Sequence, residues 1–141
     1  MQIFNITPMG KPRMNRADKW KQRDVVMRYR AFCDEVRLNK VAMPEAGGHI
    51  TFVLPMPKSW SGKKRTTMKG RAHQQKPDAD NMIKALMDAL FVDDAHIWDF
   101  RVTKVWGETG QILISSIGEG GANNEAGIIL KTFQSSGDAH H

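Results

Sequence analysis

The chain reads as an α+β protein: a mixed β-sheet with two main helices packed on it, in the order β-α-β-loop-α-β-β. Three observations predict this. Apolar residues recur three and four apart in two separate stretches, which is helical periodicity. Four shorter stretches are rich in β-branched and aromatic residues and tend to alternate, which is strand patterning. The two kinds of stretch interleave, and helices layered on a sheet bury both kinds of apolar face. The 141 residues suffice for one domain with a modest core.

The elements follow in order. Residues 2–7 alternate well enough for a first strand, and residues 8–16, with Gly10 and two prolines, read as a loop. Residues 22–38 place Val25, Val26, Tyr29, Phe32, Cys33 and Val36 on one helical face, with Arg28, Arg30, Asp34, Glu35 and Arg37 mostly opposite. After a turn at 42–48, residues 49–54 set Ile50, Phe52 and Leu54 on one face of a strand and Thr51 and Val53 on the other. Pro55 and Pro57 end it. Residues 58–76 show no periodicity and read as a long loop. Residues 78–90 form the second helix, with the stripe Ile83, Leu86, Met87 and Leu90; Pro77 precedes it and Asp78 is placed to cap it through its side chain. Residues 97–106 and 111–117 are strands with Trp98 and Trp106 in the core, joined by Gly107-Glu108-Thr109-Gly110 as a hairpin loop. From Gly118 the chain turns glycine-, serine- and asparagine-rich. The expected organisation is therefore a domain over 1–117 and a poorly ordered tail over 118–141.

Composition narrows the function. A formal net charge of +6 and a pI near 9.7 favour an anionic partner, nucleic acid first, although basicity also serves solubility. Cys33 is the only cysteine, which excludes an internal disulfide and a cysteine-rich zinc site and fits a reducing, cytoplasmic setting. No apolar run approaches the ~20 residues of a membrane span, and no signal peptide is apparent.

Within this basic chain the acids concentrate. From Asp78 to Asp99 there are six acids, Asp78, Asp80, Asp88, Asp93, Asp94 and Asp99, and a single base, Lys84. On the second helix Asp80, Asn81, Lys84 and Asp88 share the face opposite the apolar stripe. A short connection allows Asp93 and Asp94 to fold back beside them. Clustered carboxylates suit Mg²⁺, a hard cation that takes one or two protein carboxylates plus water and phosphate. Such a metal activates water and polarises phosphate, and Lys84 can offset charge growing on the phosphoryl oxygens. Each acid also has a plain structural reading. Asp80 and Lys84 fit an i,i+4 surface ion pair contributing about 0.2–0.5 kcal/mol. Asp78 fits a cap, and Asp93-Asp94 a polar turn.

The run Lys76-Pro77-Asp78-Ala79-Asp80-Asn81, then Lys84, then Asp88-Ala89-Leu90, then Asp93-Asp94 resembles the RusA family of Holliday junction resolvases, common in phages and prophages, over roughly residues 2–117. The segment between Leu90 and Asp93 is shorter than in the best-known member. The resemblance implies a homodimer that nicks four-way DNA junctions symmetrically with Mg²⁺, or Mn²⁺ in its place. It implies that Asp78, Asp80 and Asp94 bind the metal beside Asp93, and that Lys84 is the functional lysine. The catalytic set is then Asp78, Asp80, Lys84 and Asp94.

Two basic stretches complete the picture. Lys58, Lys63, Lys64, Arg65, Lys69, Arg71 and Lys76 lie in 58–76 without an acid, and this run ends at the carboxylates. Residues 11–30 hold eight bases against Asp18 and Asp24, with Trp20 among them. Both suit phosphate contacts. Trp20 and Trp60 suit either base stacking or packing. His49, His73 and His96 have no metal-ligand spacing. The expectation is a Mg²⁺-dependent, structure-selective endodeoxyribonuclease acting on branched DNA in recombination and repair. The alternatives are a non-catalytic nucleic-acid-binding module, or a nuclease of the same class that prefers flaps or forks.

Overall fold

Four strands pair into one mixed sheet in the order β1-β4-β2-β3: β1 (Gln2–Phe4), β2 (Gly48–Pro55), β3 (Phe100–Gly107) and β4 (Gln111–Ser116). β4 runs antiparallel to both β1 and β2, while β2 and β3 are parallel. A parallel pair needs a long crossover, and here it carries two helices, α2 (Gly62–Met68) and α3 (Ala79–Leu90); α1 (Asp24–Leu38) joins β1 to β2. The computed structural model describes residues 1–13 and 23–117. The expected tail, 118–141, and Trp20 with its basic neighbours lie outside the described residues.

The α+β class and the mixed sheet hold, and the described residues form three helices where two main ones are expected. α1 buries Val26, Tyr29, Phe32, Cys33 and Val36, and α3 buries Met82, Ile83, Ala85, Leu86, Met87 and Ala89. Both helices contribute to one core with Ile50, Phe52, Leu54, Ile112 and Ile114 from the sheet. Arg37 ties the helices together by donating from Nε to the Ala89 carbonyl at 2.8 Å. Because strand side chains alternate, the intervening Val53, Val105 and Leu113 form a smaller cluster of their own. Met82 and Leu86 are fully buried, and each contributes about 1.5–3 kcal/mol by leaving water.

Three expectations need correction. The segment 58–76 is not simply a loop, since it contains α2. Ser61 caps that helix by accepting from the Lys64 amide at 3.2 Å. α2 buries no residue, so apolar periodicity could not reveal it. Beyond α2 the chain lies along β3: Gly70 and His73 donate to the Trp106 and Lys104 carbonyls, and the Trp106 amide donates to Arg71. Ala72 stands opposite Val105, so this stretch covers part of the β3 edge.

The loop Gly107-Glu108-Thr109-Gly110 reverses the chain but makes no hairpin, because β2 lies between β3 and β4. It passes close to Thr7, where a Cβ on Gly110 would stand 2.5 Å from the threonine Oγ1 and 2.6 Å from its Cα. Only glycine fits there. Trp98 is 74% exposed rather than core. It precedes β3, in the connecting segment, where its amide donates to the Glu45 carbonyl.

Candidate active site

The head of α3 is built from three segments. The helix begins after Asp78, whose backbone is extended (φ −69°, ψ 149°) as a capping residue requires, yet its side chain makes no capping hydrogen bond. Asp78, Asp80 and Lys84 are exposed. The ion pairs among the described residues are Lys11–Asp88, Arg37–Asp34 and Lys69–Glu108, so Asp80 and Lys84 are not joined. The surface-pair reading of those two is therefore not realised. The positive end of the helix dipole favours carboxylates at 78 and 80 by about 0.3–1 kcal/mol each.

The second segment is the stretch after β1. Asn81 donates from Nδ2 to the Lys11 carbonyl at 3.1 Å, and the Lys11 amide returns a bond to the Asn81 carbonyl at 3.4 Å. Lys11 Nζ pairs with Asp88, one face of α3 further along. Gly10 makes the close approach possible, since a Cβ there would lie 2.7 Å from Asn81 Nδ2 and 2.9 Å from Pro77 Cβ. Asp88 is thus committed to a lysine, and Asn81 to holding the backbone of 10–11.

The third segment is β3. Lys104 Nζ donates to the carbonyls of Gln75 and Pro77, both at 2.7 Å. Burial lowers the Lys104 amine below its ordinary value, and the charge of Asp78 opposes that shift. Lys76–Pro77 is a cis peptide.

Beside Lys104 an aromatic cluster gathers around Trp106 of β3, its rings tilted and not stacked. Trp60 meets Trp106 at 56° with ring centroids 4.7 Å apart, and His73 meets the same Trp106 at 49° and 4.2 Å. The Lys64 ammonium stands 4.3 Å from the Trp60 ring centroid. Trp60 therefore packs, and Trp106 is core as expected.

His73 is 5% exposed and its Nδ1 has no hydrogen-bond partner. Burial, then the Lys104 charge, pushes its pKa below the ordinary 6.5. The unfolded chain thus takes up the ring proton more readily than the folded one. The stability that neutral His73 supplies is complete above pH 6.5 and is lost as pH falls from there through its folded value. Melting temperature is expected to drop across that window, with a component missing in His73→Phe; identical pH profiles for the two proteins would remove this assignment.

The side chains of the basic run have different surroundings. Lys58, Lys63 and Lys76 are exposed. Lys64 is exposed but lies over Trp60, Arg65 donates to the Pro57 carbonyl, and Arg71 to that of Thr67. Lys69 departs from the expectation of a phosphate-facing amine: its Nζ is buried, 3.8 Å from Glu108.

The aspartates after α3 are exposed as well. Asp93 Oδ1 accepts from the Ala95 amide at 2.9 Å, and the Asp94 carbonyl from the Ile97 amide. They follow the C-terminal end of α3, whose twelve residues span about 18 Å at 1.5 Å each. Among the described residues no group of three or more His, Cys, Asp or Glu side chains stands close enough to hold a metal ion. His49 bonds Thr103 Oγ1, and His96 packs edge-on against Phe91.

Sequence reasoning gives no role at the head of α3 to three residues that build this region: Gly10, Lys11 and Lys104. Only Lys104 left a signal, as a charged residue in the alternation Val102, Lys104, Trp106. No helix among the described residues is long and apolar enough to cross a membrane. The family model of endodeoxyribonuclease RusA matches residues 4–115, from the end of β1 to the penultimate residue of β4. No curated protein and no solved structure matches significantly.

Proposed function

The chain belongs to the RusA endodeoxyribonuclease family, and on that footing we propose that it is a Mg²⁺-dependent, structure-selective nuclease that resolves four-way DNA junctions in recombination and repair. One observation carries the reading. Asp78 and Asp80 stand exposed at the head of α3, at the chain end of the basic run, and neither carboxylate is spent on a cap or an ion pair with another described residue.

The donor chemistry fits the metal. Asp78 and Asp80 offer hard oxygens, and Mg²⁺ characteristically takes one or two protein carboxylates and keeps several waters. Asp93 and Asp94 are proposed as the remaining ligands, with Mn²⁺ as a substitute ion. When bound, the ion supplies an activated water and charge stabilisation at the phosphate. The protein's own residues do the rest. Lys58, Lys63 and Lys76 hold the phosphate backbone, and Lys84, one turn beyond Asp80, offsets negative charge developing on the phosphoryl oxygens. A two-fold homodimer would match the symmetry of a four-way junction.

The DNA contacts give a quantitative expectation. For each of Lys58, Lys63 and Lys76 that meets a phosphate, substitution by Ala should make the plot of log Kobs against log[salt] about 0.9 shallower. An unchanged slope in the triple variant would move the DNA elsewhere on the surface.

A second reading has one observation in its favour. The two aspartate pairs belong to opposite ends of α3, Asp78 and Asp80 to its head and Asp93 and Asp94 to the segment after its last residue, which suits a junction-binding module whose acids are structural. Labelled four-way junction, flap, fork and duplex, each incubated with Mg²⁺ or EDTA, separate these readings. Paired nicks on the junction, abolished by EDTA, are the expected result. Binding without any Mg²⁺-dependent product would leave the second reading.

A further inference from the structure

We infer that Lys104 is a positioning residue for the aspartates at the head of α3: its ammonium clamps the carbonyls of Gln75 and Pro77 and so fixes the backbone from which Asp78 and Asp80 project. The inference deepens the function proposed above and rests on it for its kinetic consequences.

The placement of Lys104 is costly, which is what makes it informative. In the β2–β3 register Val102, Lys104 and Trp106 stand opposite Ile50, Phe52 and Leu54. All three β2 residues belong to the main core, and Val102 packs against it. An apolar side chain would serve packing at 104. A lysine there must desolvate its charge in part, which is unfavourable unless the ammonium is well bonded. It meets that condition with two charge-assisted hydrogen bonds of 2.7 Å, both to main-chain carbonyls.

Those carbonyls belong to Gln75 and Pro77, on either side of Lys76 and immediately before Asp78. The main chain of Lys104 adds a third tie, because its carbonyl accepts from the His73 amide at 3.0 Å. One strand residue thus anchors the basic segment at 73, 75 and 77, and the first carboxylate follows at 78. From the other side, Asn81 and the backbone of Lys11 hold the first turn of α3. The head of the helix is therefore held between β3 and the stretch after β1. Displacing reacting groups by about 1 Å can cost on the order of a hundredfold in rate.

The test compares Lys104→Met, which keeps the aliphatic stem and removes the donors, with Lys104→Arg, which restores charge and donors. Two readouts are taken: single-junction cleavage kinetics at saturating Mg²⁺, and hydrogen exchange by mass spectrometry on the metal-free protein. For Lys104→Met the expected results are kcat lower by about 30- to 100-fold, KM for the junction within about threefold, and faster exchange confined to peptides covering 75–82. Lys104→Arg should recover most of kcat and of the exchange protection. If the methionine variant does not fold, Lys104→Gln, which retains a donor, is measured the same way and should show a smaller loss of the same pattern.

Unchanged kcat with unchanged exchange at 75–82, or exchange raised equally across the sheet, would overturn the inference. Should the wild-type protein cut no junction, the proposed function fails, and the exchange experiment still decides whether Lys104 holds this backbone.

Discussion

Asp80→Asn is expected to bind a four-way junction as the wild type does and to cleave it at least about a hundredfold more slowly, the scale on which loss of one preorganised electrostatic group lowers kcat. The substitution is nearly isosteric. It removes a negative charge from the first turn of α3, where Asp80 is exposed and pairs with no other described residue. Its cost to stability is therefore confined to the helix-dipole term, about 0.3–1 kcal/mol. A structural aspartate would show only that small loss. A residue that holds the metal would show full binding with little product, because phosphate contacts are made by the basic segment and not by the acid. Binding by gel shift and cleavage under single-turnover conditions, on the same preparation, separate the two. Nicking at the wild-type rate would remove Asp80 from the mechanism.

Phe52→Ala should cost about 3–5 kcal/mol, the range for deleting a buried aromatic and leaving a cavity. Phe52 is fully buried in the main core. It lies on β2, which is paired on both sides, with Lys104 opposite on β3 and Ile112 on β4. Neighbouring strands on either flank leave little freedom for collapse into the void. Against a total stability of about 5–15 kcal/mol for a typical domain, such a loss brings the protein close to unfolding at room temperature. Urea denaturation reads it directly, with Phe52→Leu as the volume-sparing control expected to lose much less. A midpoint shift equivalent to under about 1 kcal/mol would mean that the sheet face repacks, contrary to the close packing of protein interiors.

Periodicity made most of the fold legible, and it failed where burial is not periodic. α1 and α3 were readable because each presents a continuous apolar face to the core. α2 was not, since none of its seven residues is buried; the one local sign was Ser61 ahead of a run without proline. The reversal at 107–110 was visible in its glycines, but nothing local says that β2 separates the two strands it joins. Trp98 sits in the strand pattern of 97–106, which points it to the core, whereas β3 starts two residues later, at Phe100.

The site divides in the same way. The acids and the lysine could be named from their spacing on one helix, and the head of α3 presents Asp78, Asp80 and Lys84 to solvent. What spacing along the chain does not carry is tertiary contact. Lys104 meets carbonyls 29 and 27 residues away, and Lys11 meets Asp88 across 77. Nor does closeness in sequence bring Asp93 and Asp94 to Asp80, because α3 intervenes and the described residues hold no ready-made cluster.

A metal ion shared by Asp80 and Asp94 has to span that separation. Titration of the protein with Mn²⁺, followed by the electron paramagnetic resonance of the free ion, measures it directly in wild type, Asp80→Asn and Asp94→Asn. The expected result is a saturable site in the wild type that is weakened by about tenfold or more in each variant, the scale on which metal sites respond to loss of a supporting group. Wild-type Mn²⁺ affinity in Asp94→Asn would contradict it, leaving the aspartates that follow α3 outside the metal site.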